Sequence, residues 1–318
     1  MRLMYLGAGE FGLPTLKALH AEHEIVAVVT QPDKPAGRKR VMTPTAIAKW
    51  ATEQGIEVLK SDDVNTPEFV AKIGEYEVDA SVVIAFGQKL SPELIGQLGK
   101  LAVNLHSSLL PKYRGAAPIN WAMIQGEDVT GVSVIGLAQR MDAGEVYGVE
   151  SLEIHREETA GELHDRLSEL GPDVVLRVLQ DLKSGDLKPL EQDHMEATRA
   201  PKFKKSDGTV DLNLSAKAVR CRVHGLTPWP GCRVQWECME TGKSQILFLR
   251  RVTDNCEMRA QERAEVGMVL EDMFVVVGQG EVIKLLEVQA AGTKLMSVEE
   301  FAKGHKLGAG DRLRMLDA

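Results

Sequence analysis

From residue 3 to residue 105 the chain alternates short apolar runs with segments that carry helix-start signals, and that alternation admits few folds. Leu3 to Leu6 reads as a buried strand, followed by a glycine-rich turn and a helix to about His20. Ile25 to Val29, Ile56 to Leu59, Ala80 to Ala85 and Leu101 to Leu105 read as further strands, with helical patterns at 44–54 and 67–74 between them. Ser91-Pro92-Glu93 has the form of a helix start, with a serine cap and a proline in the first turn. Strands and helices in strict alternation predict a doubly wound, mostly parallel α/β sheet. The texture changes after about residue 205. Segments 232–237, 245–252, 266–270, 273–277 and 281–287 are short, strand-like and separated by turns, which predicts a smaller all-β barrel. The boundaries expected are a first domain over 1–188, a linker over 189–207 with two prolines and three lysines, and a second domain over 208–318.

Charge and cysteine content exclude several classes. A net charge of −8 argues against a generally basic nucleic-acid binder. The balance is uneven, however. Residues 201–318 hold 18 Lys and Arg against 16 Asp and Glu, while the remainder holds 20 against 30. The four cysteines form no Cys-x-x-Cys pair and lie beside no histidine cluster, so packing thiols are expected and no metal site. No apolar run approaches the ~20 residues of a membrane-spanning helix, and Met1 to Leu6 lacks the basic head and long apolar stretch of a signal peptide. A cytoplasmic protein without membrane contact is expected.

Two motifs carry chemistry. Gly7-x-Gly9-x-x-Gly12 follows a strand and opens a helix, the context of a dinucleotide-binding turn. Such a turn expects an acidic residue closing the next strand, which here ends Val29-Thr30-Gln31. Tight packing of strand on helix is therefore the favoured reading of the glycines. The second motif is the run from Val103 to Pro118. Asn104 and His106 stand two residues apart at a strand end, and a strand sends residues i and i+2 to the same face. An imidazole moves protons near neutral pH and an amide NH₂ holds a developing oxyanion, which together make the skeleton of an acyl-transfer site. Farther on, Asp142 sits in an Asp-Ala-Gly turn after the strand-like segment Val132 to Leu137, placed to fold back toward His106. A carboxylate beside an imidazole favours its charged form and orders a water between them.

The run Asn104-x-His106 with Ser108-Leu109-Leu110-Pro111, the continuation Arg114-Gly115-Ala116-Ala117-Pro118 and the Asp142-x-Gly144 turn resemble the folate-dependent formyltransferases, in particular the branch that acts on aminoacylated tRNA. The resemblance spans nearly the whole chain. It takes in Lys205 to Asp211 at the domain junction, Pro228-Trp229-Pro230-Gly231 in the second domain, and Gly292 to Ser297 near the end. It implies a Rossmann-like catalytic domain, an OB-like second domain that binds tRNA, 10-formyltetrahydrofolate as co-substrate, and initiator methionyl-tRNA as acceptor. Asn104, His106 and Asp142 would be catalytic. Phe86, Gly87 and Gln88, with Ser108, Leu109, Leu110 and Pro111, would line the folate pocket. Lys34, Arg38, Lys39 and Arg40, in the segment from Thr30, would approach the acceptor end of the tRNA. Three positions depart from the family pattern: Lys39 replaces a glycine, Ala138 an acidic residue and Leu212 a tryptophan. Trp229, between two prolines, is read as domain packing.

The implied chemistry is formyl transfer to the α-amino group of methionine, with no covalent enzyme intermediate and no metal; a monomer is expected. The alternatives are a formyltransferase for a small amine such as an amino sugar or ribonucleotide, and a hydrolase that releases formate from the same folate. A nicotinamide-dependent oxidoreductase built on Gly7 to Gly12 and a tRNA-binding module with an inactive enzyme domain are the readings from other classes.

Overall fold

A computed structural model of the chain describes residues 1–37, 39–256 and 264–316. The chain forms two compact units. The first comprises Met1–Gly115, Gly131–Leu152 and His164–Arg199, the second Ala116–Thr130, Glu153–Leu163 and Ala200–Ala318. Among the described residues no helix is long and apolar enough to cross a membrane.

Chain order begins with β1 (Arg2–Gly7), α1 (Leu13–Glu22) and β2 (Glu24–Thr30), then a hairpin of β3 (Lys34–Ala36) and β4 (Val41–Thr43). There follow α2 (Ala46–Glu53), β5 (Val58–Lys60), α3 (Pro67–Gly74), β6 (Ala80–Ile84), α4 (Pro92–Ile95) and β7 (Leu101–His106). After these come β8 (Arg114–Gly115), α5 (Pro118–Ile124), β9 (Val129–Gly136), β10 (Val146–Glu153) and α6 (Ala160–Ser184). The helix starts are where the side chains cap them. Thr45, Thr66 and Ser91 accept from the backbone N–H groups of Ala48, Phe69 and Leu94 at 3.0, 3.3 and 3.2 Å.

Seven strands form the sheet of the first unit, in the order β10-β9-β7-β6-β1-β2-β5. The pairs β1–β2, β1–β6, β2–β5 and β6–β7 are parallel, as the alternating pattern predicts, and β9 runs antiparallel to β7. The chain builds outward from β1 to β2 and β5, then returns to lay β6 and β7 on the other side of β1. That reversal makes the carboxyl ends of β1 and β6 the topological switch point, the place where ligands bind in such sheets. The inner strands β1, β2, β6 and β7 are largely buried on both faces, whereas the edge strand β10 is mostly exposed; Leu3, Met4, Tyr5, Val82 and Val103 are fully buried.

The glycine turn after β1 is a packing device. A Cβ on Gly12 would stand 1.9 Å from the Tyr5 hydroxyl, and one on Gly7 2.5 Å from the Tyr5 ring. The buried Tyr5 fills the space the glycines leave and donates to the Gly12 carbonyl at 3.1 Å. The hydroxyl of Thr30, where an acidic ribose ligand would be needed, lies 2.9 Å from that of Thr45.

The second unit also contains α7 (Ala216–Gly225), β12 (Cys232–Glu237) and β13 (Ser244–Thr253), which follow the short β11 (Arg199–Ala200) in the chain. Its remaining elements are β14 (Phe274–Val276), β15 (Val282–Ala290), β16 (Met296–Ser297), α8 (Val298–His305) and β17 (Arg312–Met315). The sheet runs β14-β15-β13-β12-β17 with β16 on β15, every pair antiparallel. The expected strand at 266–270 is an irregular segment with two partners. Gly267 and Met268 bond to Val276, while Val269 bonds to Asp311 and Gly310 and Leu313 donate to Val269 and Gly267. It thus bridges the sheet's two edges, β14 and β17, and closes the barrel. Val234, Trp236, Leu249, Leu285 and Phe301 fill the interior. Cys221, Cys232 and Cys238 are buried free thiols, with burial pushing Cys232 up to about 12. Trp229 departs from the packing expectation: it is 53% exposed.

Candidate active site

Strand β7 ends at the catalytic candidates. Asn104 pairs with Val83 of β6 and Ile135 of β9, and His106 with Ser133 of β9, so the two side chains leave the same face of a central strand. The loop that follows is fastened from within. The hydroxyl of Ser108 donates to the Lys112 carbonyl at 2.7 Å, and Ser133 donates to the Ser108 carbonyl at 2.7 Å while accepting from the Leu110 N–H at 3.1 Å. The loop delivers the carbonyl of Tyr113 to Nε2 of His106 at 2.9 Å. A carbonyl only accepts, so Nε2 carries a hydrogen and donates it.

The other ring nitrogen, Nδ1, lies 3.7 Å from Oδ2 of Asp142. Both side chains are largely buried, 7% and 14% exposed. Asp142 sits in a left-handed turn (φ 53°) and its Oδ2 accepts from the N–H of Gly115 at 2.8 Å. The gap between Nδ1 and Oδ2 exceeds a hydrogen bond, yet an amine nitrogen at about 2.9 Å reaches both. The Asn104 carboxamide has no hydrogen-bond partner among the described residues and is only partly buried, so its NH₂ is available to a ligand.

The structure brings together Asn104, His106 and Asp142 and distributes the other sequence-selected residues around them in different roles. The ring of Phe86 is part of the core, and its carbonyl accepts from Nε2 of Gln31 at 2.9 Å. Gly87 has φ 79°, and a Cβ there would stand 2.5 Å from the same Gln31 nitrogen. Gln88 bonds the Val64 N–H and the Ser61 carbonyl with its carboxamide. The side chains of Phe86, Gln88 and Ser108 are therefore engaged within the protein. Leu109, Leu110 and Pro111 are partly buried at the loop's surface. Lys34 donates to Oε1 of Gln31 at 2.6 Å, so Gln31 ties the basic hairpin to the Phe86 segment. Lys39 and Arg40 are exposed and have no ion pair among the described residues; Arg38 lies outside the described residues.

Two residues bonded to His106 and to the Asp142 turn lie outside the site residues selected from the sequence, Tyr113 and Gln192. Tyr113 meets His106 through its carbonyl, which no residue type announces. Gln192 bonds the backbone of the Asp142 turn from a position 50 residues away, with no motif to link the two. Among the described residues no group of three or more His, Cys, Asp or Glu side chains is placed to hold a metal.

Residues 1–179 match the family model described as formyl transferase, and residues 202–306 match the formyl transferase C-terminal domain. The methionyl-tRNA formyltransferase of Acetivibrio thermocellus is 38% identical over 314 residues, covering 98% of this chain and 99% of that one. The chain belongs to the methionyl-tRNA formyltransferase family.

Solved structures carry the same fold at lower identity. HypX from Aquifex aeolicus, in complex with tetrahydrofolic acid, matches with a TM-score of 0.58 at 19% identity, covering 95% of this chain; the chain spans only 47% of that larger protein. The N-formyltransferase from Helicobacter canadensis, in complex with folinic acid and dTDP-3-aminofucose, matches with a TM-score of 0.64 at 13% identity, covering 89% of this chain and 98% of that one. In this formyltransferase the polar set at the carboxyl end of β7 stands one strand from the switch point between β1 and β6.

Proposed function

We propose that the chain transfers the formyl group of 10-formyltetrahydrofolate to the α-amino group of methionine on initiator tRNA, acting in the cytoplasm. The observation that carries this reading is the arrangement of His106, whose Nε2 is held by the Tyr113 carbonyl while Nδ1 faces Oδ2 of Asp142.

The reaction forms a C–N bond from the methionine nitrogen to the formyl carbon and breaks the bond from that carbon to the folate nitrogen. Between the two events the carbonyl oxygen is an oxyanion, and the Asn104 NH₂ is the donor free to receive it. The attacking nitrogen must be neutral, and an α-amino group titrates near pH ~8. One proton leaves that nitrogen and one arrives on the departing folate nitrogen. Because Nε2 is committed to Tyr113, the proton travels through Nδ1 of His106 and Oδ2 of Asp142. The folate would lie along segments 86–88 and 108–111, which offer backbone groups and the side chains of Leu109, Leu110 and Pro111. Lys34, Arg38, Lys39 and Arg40 would meet the phosphates of the acceptor end, and the barrel unit would extend the tRNA contact.

The deciding experiment measures formyl transfer to charged initiator tRNA, to uncharged tRNA and to nucleotide-linked amino sugars. Transfer confined to the charged tRNA is expected. Transfer to an amino sugar at a comparable rate would move the acceptor to a small molecule, and formate release without any acceptor would make the enzyme a hydrolase.

A further inference from the structure

We propose that Gln192 is a positioning residue of the reaction: its carboxamide holds the turn that carries Asp142 and thereby sets the spacing of Asp142 from His106. The inference rests on the reading of Asn104, His106 and Asp142 as the reacting set.

The hydrogen-bonding capacity of the side chain is fully used. Nε2 donates to the carbonyl of Asp142 at 2.9 Å and to that of Gly144 at 2.7 Å. Oε1 accepts from Nε of Arg114 at 3.1 Å and from Nη2 at 2.6 Å. Two donors and two lone pairs are all a carboxamide has. Arg114 is braced in turn, since its Nη2 lies 2.9 Å from Nδ1 of His194. Gln192 is itself buried, so losing these bonds leaves polar groups stranded.

These bonds close a ring around Asp142. Gln192 holds the backbone carbonyl of Asp142, and the Asp142 carboxylate accepts from the N–H of Gly115. Gly115 follows Arg114 in the chain, and the Arg114 guanidinium returns to Gln192. The ring fixes a residue that needs fixing. Asp142 has a positive φ, where a side chain is disfavoured and the surroundings must impose the conformation. Gly144 at the end of the turn lies against β9, where a Cβ would stand 1.8 Å from the Gly136 carbonyl. Gln192 pins the same turn through the carbonyls of Asp142 and Gly144. The atom positioned by the ring, Oδ2, is the one 3.7 Å from Nδ1 of His106.

The test is a double-mutant cycle with two Gln192 variants. Gln192→Met keeps the shape and removes all four bonds. Gln192→Glu keeps the acceptor for Arg114 and removes the donors to the turn. Each is made alone and with Asp142→Asn, and single-turnover formyl transfer to charged initiator tRNA is measured beside thermal melting. Each single Gln192 variant is expected to lower the rate about 10- to 100-fold, the scale of a misplaced reacting group. KM for both substrates should stay within about threefold. In the Asp142→Asn background the same changes should cost less than about twofold, because a residue acting through Asp142 has nothing left to position. A full additional loss in that background, or a normal rate for Gln192→Glu, overturns the proposal and leaves the catalytic reading intact. A normal rate for Asp142→Asn alone overturns both. Should Gln192→Met melt below the assay temperature, Gln192→Glu, which retains the Arg114 brace, carries the same cycle.

Discussion

Two buried histidines, one in each unit, are wired in opposite ways. His224 of α7 is fully buried, and its Nε2 accepts from the backbone N–H of Val252 at 3.1 Å. Burial first, and then the nearby Arg220 and Arg251, push it down to about 4. It is a neutral acceptor among cations. His106 is 6% exposed, but its Nε2 donates to a carbonyl and its Nδ1 faces a carboxylate. Burial therefore does not separate an imidazole that only packs from one whose ring nitrogen faces a carboxylate. What separates them is whether one nitrogen is left facing a group with which a proton can be shared.

The largest expected effect tests the working side of that contrast. His106→Ala or Asp142→Ala should lower turnover by about 10²- to 10⁴-fold with folding retained, checked by single-turnover assay beside circular dichroism. His224→Gln should leave the rate constant near normal and lower the melting temperature. If His224→Gln instead cost as much turnover as His106→Ala, the distinction by wiring would be wrong. Asn104→Ala comes next, with an expected fall in kcat of about 10²- to 10³-fold and little change in KM, since an oxyanion donor acts in the transition state.

The structural side of the contrast shows in the pH dependence of stability. His224 has its folded pKa lowered from 6.5 to about 4, so between those values the unfolded chain binds a proton that the folded chain does not. Stability contributed by this group is present above pH 6.5 and is lost as the pH falls toward 4, by up to ~3 kcal/mol. Urea unfolding at pH 7 and pH 4.5 should show the loss, and His224→Gln should flatten it. An identical slope in the variant would assign the acid sensitivity to other groups. The smallest effect lies in the hairpin. Replacing Lys39 and Arg40 with glutamine should reduce the salt dependence of tRNA binding by roughly one to two phosphate contacts while folate affinity holds.

Legibility differed between the two units for physical reasons. In the first unit the inner strands β1, β2, β6 and β7 are largely buried on both faces and stand out as continuous apolar runs, and the caps Thr45, Thr66 and Ser91 mark the helices between them. The long α6 also begins at a locally readable signal. Thr159-Ala160-Gly161-Glu162 is a capping box, with the Thr159 N–H donating to Glu162 at 2.7 Å and the Glu162 N–H to Thr159 at 3.4 Å. Gly171-Pro172 inside that helix reads locally as a break. There Gly171 makes room for Leu105 and Thr15, whose side-chain atoms lie 2.6 Å from where its Cβ would be. In the second unit, segment 266–270 was recognisable as extended, but its part in closing the barrel depends on β14 and β17, neither of which it can specify alone.

The chain's own order of residues determined the α/β alternation, the same-face placement of Asn104 and His106, and the Asp-x-Gly turn that carries Asp142, because each follows from backbone periodicity or local turn chemistry. Tertiary structure decided which imidazole nitrogen is free. It also made Gln192 the brace of the Asp142 turn, and it gave the glycine-rich turn to Tyr5. These outcomes depend on hydrogen bonds and close contacts between groups whose types are common and whose partners are set by folding, which sequence spacing does not encode.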